Sequence, residues 1–190
     1  MDGKFVSQEL RTRMKDRVQS LKLKGIKPGL AVILVGDNPA SQVYVRNKAL
    51  ACDSVGVHST VKRMGEDSSE QLVLDELSRL NNDASINGIL VQLPLPDHID
   101  ENKILETIRP EKDVDGFHKI NVGAMVTGNA NFYPCTPHGV MKLLDFYNIR
   151  IEGQHAVVIG RSNIVGKPMA LMLLERGATV SICSSKTPDL

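Results

Sequence analysis

The chain has 190 residues, of which 42% are hydrophobic and 24% charged, with a formal net charge of +1. That balance suits an ordinary globular protein and lacks the clustered Lys and Arg of a nucleic-acid surface or a polybasic membrane anchor. The longest apolar runs, such as residues 30–35, are far too short to cross a bilayer, and the charged start "MDGKFVSQELRTRMKDR" has no signal-peptide core.

Three cysteines, Cys52, Cys135 and Cys183, form no C-x-x-C pair and read as reduced thiols of a cytoplasmic protein. The five histidines are scattered without metal-ligand spacing, so no metal is expected.

In chain order, Leu10, Met14, Val18 and Leu21 recur at helical spacing, with Ser7 as the expected N-cap of a helix over 7–23. "LAVILVG" then reads as a buried strand, 39–55 as a second helix and 57–62 as a short strand. "DSSEQLVLDELSRLNND" is a third, serine-capped helix, and "INGILVQLPLP" an apolar strand halted by two prolines. Alternating strands and helices with long crossovers predict an N-terminal three-layer α/β domain with parallel strands over 1–117.

A second domain is expected over 118–190. Thr136 is placed to cap a helix with Pro137 at its first position, running to about residue 147. "GQHAVVIGRSNIVGKPMALMLLERGATVSIC" follows as strand, glycine turn, helix and strand, a βαβ unit of Rossmann-like type. The chain ends at "SSKTPDL", just after that second strand. A two-stranded parallel sheet leaves its edges and an apolar face open, so this domain is expected to be truncated and the chain a fragment.

Gly160, Arg161, Ser162 and Gly166 form a G-x5-G turn. As a pattern it is weak, and close packing of helix on sheet accounts for such glycines as readily as a pyrophosphate at the helix N-terminus. The second strand ends "SICSSKT", with no carboxylate to bind a ribose 2′-hydroxyl. Serine hydroxyls there and the Arg161 guanidinium suit a 2′-phosphate, which points to NADP.

On the second helix, Ser41, Tyr44 and Lys48 stand at i, i+3 and i+7 on one face. A solvated lysine and a half-buried core tyrosine are the ordinary fates of such residues. Gln92, however, closes an apolar strand, and a buried amide must find partners. Ligands of open α/β sheets bind beyond the C-terminal strand ends, where Gln92 and this helix would meet. "KDVDGF" adds Asp113 and Asp115 in a glycine loop, where a carboxylate can accept from a heterocycle's N–H groups.

"LVGDNPASQVYVRNK", "GILVQLPLP", "KDVDGFH", "PCTP" and "VVIGRSNIVGKP", in that order, closely resemble the bifunctional methylenetetrahydrofolate dehydrogenase/cyclohydrolase family. The Tyr-x-x-x-Lys pair precedes the glycine turn, whereas in short-chain dehydrogenases it follows it. The resemblance implies NADP-dependent oxidation of methylenetetrahydrofolate and hydrolysis of the methenyl product to formyltetrahydrofolate. It implies Lys48 as the catalytic lysine, Tyr44 stacking on the folate and Gln92 tuning Lys48. Asp115 would bind the pterin, Ser41 would line the pocket and Cys135 would lie in an interdomain loop. Gly160, Arg161, Ser162 and Ser185 would hold the NADP phosphates.

The partners implied are tetrahydrofolate derivatives and a second copy in a full-length homodimer, with no nucleic acid and no membrane. Lys119 departs from a common proline and Ser184 from a frequent histidine. A non-catalytic folate- or nucleotide-binding fragment, a short-chain alcohol dehydrogenase and a structural module remain the alternatives.

Overall fold

The computed structural model describes residues 1–189. It divides into two compact units, residues 7–114 and residues 1–6 with 115–190. A three-stranded and a two-stranded parallel sheet, both with helical crossovers, give the α/β class expected from the sequence.

The first unit holds most of α1 (Gly3–Leu23), then β1 (Gly29–Val35), α2 (Pro39–Val55), β2 (His58–Met64), α3 (Glu70–Asn82), β3 (Gly88–Val91) and α4 (Glu101–Thr107). The strands form one parallel sheet in the order β2-β1-β3, with Leu30 paired to both Ser59 and Gly88. In β1 every residue but Leu30 is buried, so both faces of the sheet are covered. Val32 and Leu34 pack with Val45 of α2 and Leu90 on one side, while Ala31, Ile33 and Val35, which alternate with them, are buried on the other. Gly88 lies so close to Val114 that a Cβ would strike its side chain, which lets the strand meet the segment leading out of the unit.

Local chemistry sets the helix ends. Asn38 accepts from the Ser41 N–H at 3.1 Å, Pro39 opens α2, and Gly56 closes it in the left-handed region at φ 81°. Ser69 accepts from Leu72 N–H to start α3, whose Val73, Leu77 and Leu80 make one buried stripe. Asn81 at the far end donates to Thr107 O at 2.7 Å and accepts from Arg109 N–H at 3.0 Å, pinning the exit of α4.

The second unit contains α5 (Lys119–Val126), α6 (Cys135–Phe146), β4 (His155–Ile159), α7 (Gly166–Glu175) and β5 (Thr179–Cys183). β4 and β5 pair in parallel, Ile159 opposite Cys183. Met125, Met141, Ile151, Met169, Met172, Leu173 and Ala178 form its core, with Ala156, Val158 and Val180 packed against them from the sheet. Val157 and Ile159 point the other way and are exposed, while Ile182 lies on the core face beside Val158 and is also exposed.

Four local expectations are corrected. Ser7 does not cap α1; the helix starts at Gly3, because Asp2 accepts from Lys4 N–H and Phe5 N–H and serves five residues earlier. Thr136 does not cap α6 either, since the helix begins at Cys135 after Pro134 with no side-chain cap, and Pro137 sits inside the first turn. Proline is tolerated there because first-turn N–H groups have no intrahelical partner. β2 runs one residue later at its start and two further at its end than 57–62, following its pairing with β1 out to Met64. The short helices α4 and α5 were not foreseen: one is a seven-residue element between prolines, the other contains glycine and is capped by a histidine ring.

Candidate functional site

The side chains of Lys48 and Gln92 meet in the first unit. Lys48 lies in the C-terminal half of α2 and Gln92 directly after β3, and the Lys48 Nζ donates to Gln92 Oε1 at 3.0 Å. Both are half-buried. Gln92 is held on two further sides. Its backbone N–H continues the sheet ladder to Ile33 O at 2.9 Å, and its Nε2 donates to Leu93 O at 2.8 Å. The second bond decides which way the amide faces: with the nitrogen engaged by a carbonyl, the oxygen is the atom left for an ammonium donor. A backbone carbonyl has no sequence signature, so this part of the site was not legible beforehand.

Ser41 and Tyr44 share α2 with Lys48, but their environments differ. Ser41 is buried beside the Asn38 cap, whereas the Tyr44 ring is 61% exposed and is no core tyrosine. The helix face therefore runs from a buried hydroxyl to an amine held by an amide and an aromatic ring open to solvent.

The two aspartates of "KDVDGF" fall on opposite sides of the unit boundary. Asp113 is 2% exposed and bridges to Ile89 at the sheet edge of the first unit. Asp115 belongs to the second unit, where Cys135 Sγ donates to its Oδ1 at 3.7 Å. Gly116, at φ 68°, brings this loop against the backbone of Phe132, Tyr133 and Pro134, so Asp115 is held beside the segment that opens α6.

The glycine turn lies between β4 and α7. Gly160 has φ 126°, favourable only to glycine, and its N–H donates to Cys183 O at 2.8 Å. A Cβ at Gly166 would collide with the Gly160 carbonyl, so the second glycine is what lets the turn fold back on the helix start. Ser162 Oγ accepts from Val165 N–H and Gly166 N–H, both at 3.2 Å, and orders the N-terminus of α7. Arg161 and Ser185 each stand two residues beyond the paired strand ends Ile159 and Cys183, and both are exposed. A cation and a hydroxyl thus share one edge of the sheet. After β5 the turn closes through Ser184 N–H donating to Thr187 Oγ1 at 2.9 Å. Glycines at a turn packed on a helix N-terminus, with a guanidinium and hydroxyls just beyond the strand ends, fit a phosphorylated dinucleotide.

Two parallel α/β units, one with an amine–amide pair at its strand ends and the other with a dinucleotide-type turn, define a nucleotide-using class of α/β protein. The tetrahydrofolate dehydrogenase/cyclohydrolase catalytic-domain model matches residues 1–115, and the NAD(P)-binding-domain model of the same family matches residues 134–190. The bifunctional protein FolD of Nitrosospira multiformis is 58% identical over 190 residues, all of this chain and 66% of that protein. The crystal structure of the bifunctional FolD methylenetetrahydrofolate dehydrogenase/cyclohydrolase from Campylobacter jejuni matches with a TM-score of 0.97 at 56% identity, over 99% of this chain and 67% of that one. The Trypanosoma brucei enzyme, solved with NADP cofactor and inhibitor, matches at 0.94 and 36% identity, over 99% and 65%. The chain belongs to the tetrahydrofolate dehydrogenase/cyclohydrolase family. It spans about two thirds of the length of the curated relatives it matches.

Proposed function

We propose that this chain carries the catalytic lysine and nucleotide turn of a bifunctional one-carbon enzyme. That enzyme oxidises methylenetetrahydrofolate with NADP⁺ and hydrolyses the methenyl product to formyltetrahydrofolate. The observation that carries the reading is the Lys48–Gln92 hydrogen bond, formed across 44 residues of sequence at the end of an otherwise apolar strand. Family membership supplies the substrate class, and the NADP complex of the Trypanosoma brucei relative supports the choice of nucleotide.

NADP⁺, when bound, supplies the hydride acceptor. The residues assigned to hold it are Gly160, Arg161, Ser162 and Ser185, Arg161 and Ser185 taking the 2′-phosphate. Oxidation of the aminal is driven by its own nitrogen lone pairs, so the protein's part in that step is orientation. The Tyr44 ring offers a stacking face, Ser41 lines the same helix side, and the Asp115 carboxylate accepts from the pterin N–H groups. Hydrolysis does need proton transfer: water adds to the amidinium carbon and a carbon–nitrogen bond opens, and of the two protons water gives up, one ends on the released nitrogen and the other leaves to solvent. Lys48 is the group assigned to that transfer, with Gln92 fixing its position.

Paired assays on the Lys48→Met variant test this division of labour. Methenyltetrahydrofolate hydrolysis should fall by about a hundredfold or more, the usual scale of general acid–base catalysis, and NADP⁺-dependent oxidation should fall less. Equal loss of both activities contradicts it. A second reading, ligand binding without turnover, is favoured by the exposed apolar residues Val157 and Ile159 of β4; it predicts no NADP⁺-dependent absorbance change with methylenetetrahydrofolate from this chain.

No helix among the described residues is long and apolar enough to cross a membrane. We place the protein in the cytoplasm on its three reduced cysteines, and its full-length form in a homodimer on the family resemblance. Cell fractionation and sedimentation of the full-length protein check the two assignments.

A further inference from the structure

The Gln92 amide presents its oxygen to Lys48 and its nitrogen to the Leu93 carbonyl. The conformation of the segment after β3 therefore sets the geometry of the pair. That segment, residues 93–100, leaves the sheet once Gln92 N–H has bonded Ile33 O, and its next buried anchor is Ile99. Between those points it is a half-exposed strap.

The far end of the strap is tied to the start of α3. His98 Nε2 meets Ser68 O at 2.9 Å, Asp100 N–H donates to Glu70 Oε2 at 2.9 Å, and Lys103 Nζ donates to Glu70 Oε1 at 2.6 Å. Both oxygens of Glu70 are thus engaged by residues on either side of the strap's end: the backbone that enters α4 and a side chain from the first turn of α4. An ion pair as exposed as Lys103–Glu70 adds little stability. What a bidentate carboxylate does add is a fixed geometry between two elements.

We propose that Glu70 is a positioning residue for the Lys48–Gln92 pair, holding the strap whose first carbonyl orients Gln92. The proposal rests on the reading of Lys48 and Gln92 as the catalytic pair. The competing account is local: an acid at the first position of α3 complements the helix dipole whatever it touches.

Two substitutions separate the accounts. Glu70→Asp keeps the charge at the helix start and shortens the reach; Glu70→Gln keeps the reach and removes the charge. The readouts are hydrogen exchange of the Gln92 side-chain amide by NMR, and kcat against KM for methenyltetrahydrofolate hydrolysis. In Glu70→Asp the Gln92 amide should exchange several-fold faster and kcat should fall several-fold with KM little changed, while Glu70→Gln, whose amide offers one acceptor to the two donors, should fall between Glu70→Asp and the parent in both. Glu76→Gln, which breaks a comparable pair with Arg79 on the same helix, should move neither. Unchanged Gln92 exchange in folded Glu70→Asp overturns the proposal. Should that variant fail to fold, Lys103→Met removes one of the two bonds to Glu70 and should raise the Gln92 exchange in the same direction; unchanged exchange there overturns the proposal as well. Absence of hydrolysis by the parent chain would sink the catalytic reading alone, since the exchange measurement needs no turnover.

Discussion

Gln92 shows how far a single residue can be read from its neighbours. Four buried residues precede it in β3, so an amide there had to be satisfied, and the partner it has is a lysine from another element. The orientation of that amide depends on a backbone carbonyl and so could not be read from residue types. Gly166 is the converse case. In the sequence it is one of two glycines in a weak pattern; in the structure a Cβ there would collide with the Gly160 carbonyl and crowd the Arg161 nitrogen. We expect Gly166→Ala to cost about 1–3 kcal/mol, the usual scale of forced overpacking. It should also weaken NADP⁺ binding by roughly tenfold or more, since a shift equivalent to 1.4 kcal/mol suffices for that. Denaturant melts and calorimetric titration read the two effects separately.

At the scale of elements, α3 is the anchor of the first unit. Its buried stripe faces the core, Asn81 fixes the exit of α4, and Lys112 Nζ donates to the last carbonyls of α3, Leu80 O and Asp83 O. Its outer face carries two carboxylates held below the ordinary glutamate range. Glu70 is lowered by the hydrogen bond from Lys103 and then by the Asp100 N–H, and Glu76 by the hydrogen bonds from Arg79. A depressed carboxylate contributes stability that is present above its unfolded pKa of about 4.3 and is lost as pH falls through the folded value. The thermal midpoint should therefore drop on acidification from about pH 6 to about pH 3, more steeply in the parent than in Glu76→Gln. Identical slopes would show that the Arg79 pair is screened by solvent.

Across the whole molecule, the two units solve burial differently. The sheet of the first unit is covered on both faces at β1, while the β4–β5 sheet has its methionine-rich core on one side and Val157 and Ile159 exposed on the other. Substitutions should report this asymmetry directly. Ile159→Thr, at a position 72% exposed, should shift stability by no more than about 0.5 kcal/mol. Met141→Ala, in the core, should cost about 2–5 kcal/mol. Urea unfolding of the two variants measures both, and a large loss from Ile159→Thr would mean that the open face is covered in solution.

The alternation of apolar runs with helical periods was enough to specify two parallel α/β units, because strand and helix periods differ and long crossovers force parallel pairing. Five ordered motifs were likewise enough to point to the folate family. Short-range detail was less legible: Asp2 rather than Ser7 begins α1, and α4 and α5 were hidden by proline, glycine and a histidine cap, since a cap is chosen by which neighbouring oxygen reaches the orphan N–H groups first. Folding alone brought Lys48 onto Gln92, turned that amide with the Leu93 carbonyl, and tied the strap to Glu70. Contacts such as these join residues some thirty to forty-four positions apart or use backbone atoms common to every residue, so no local pattern in the chain encodes them.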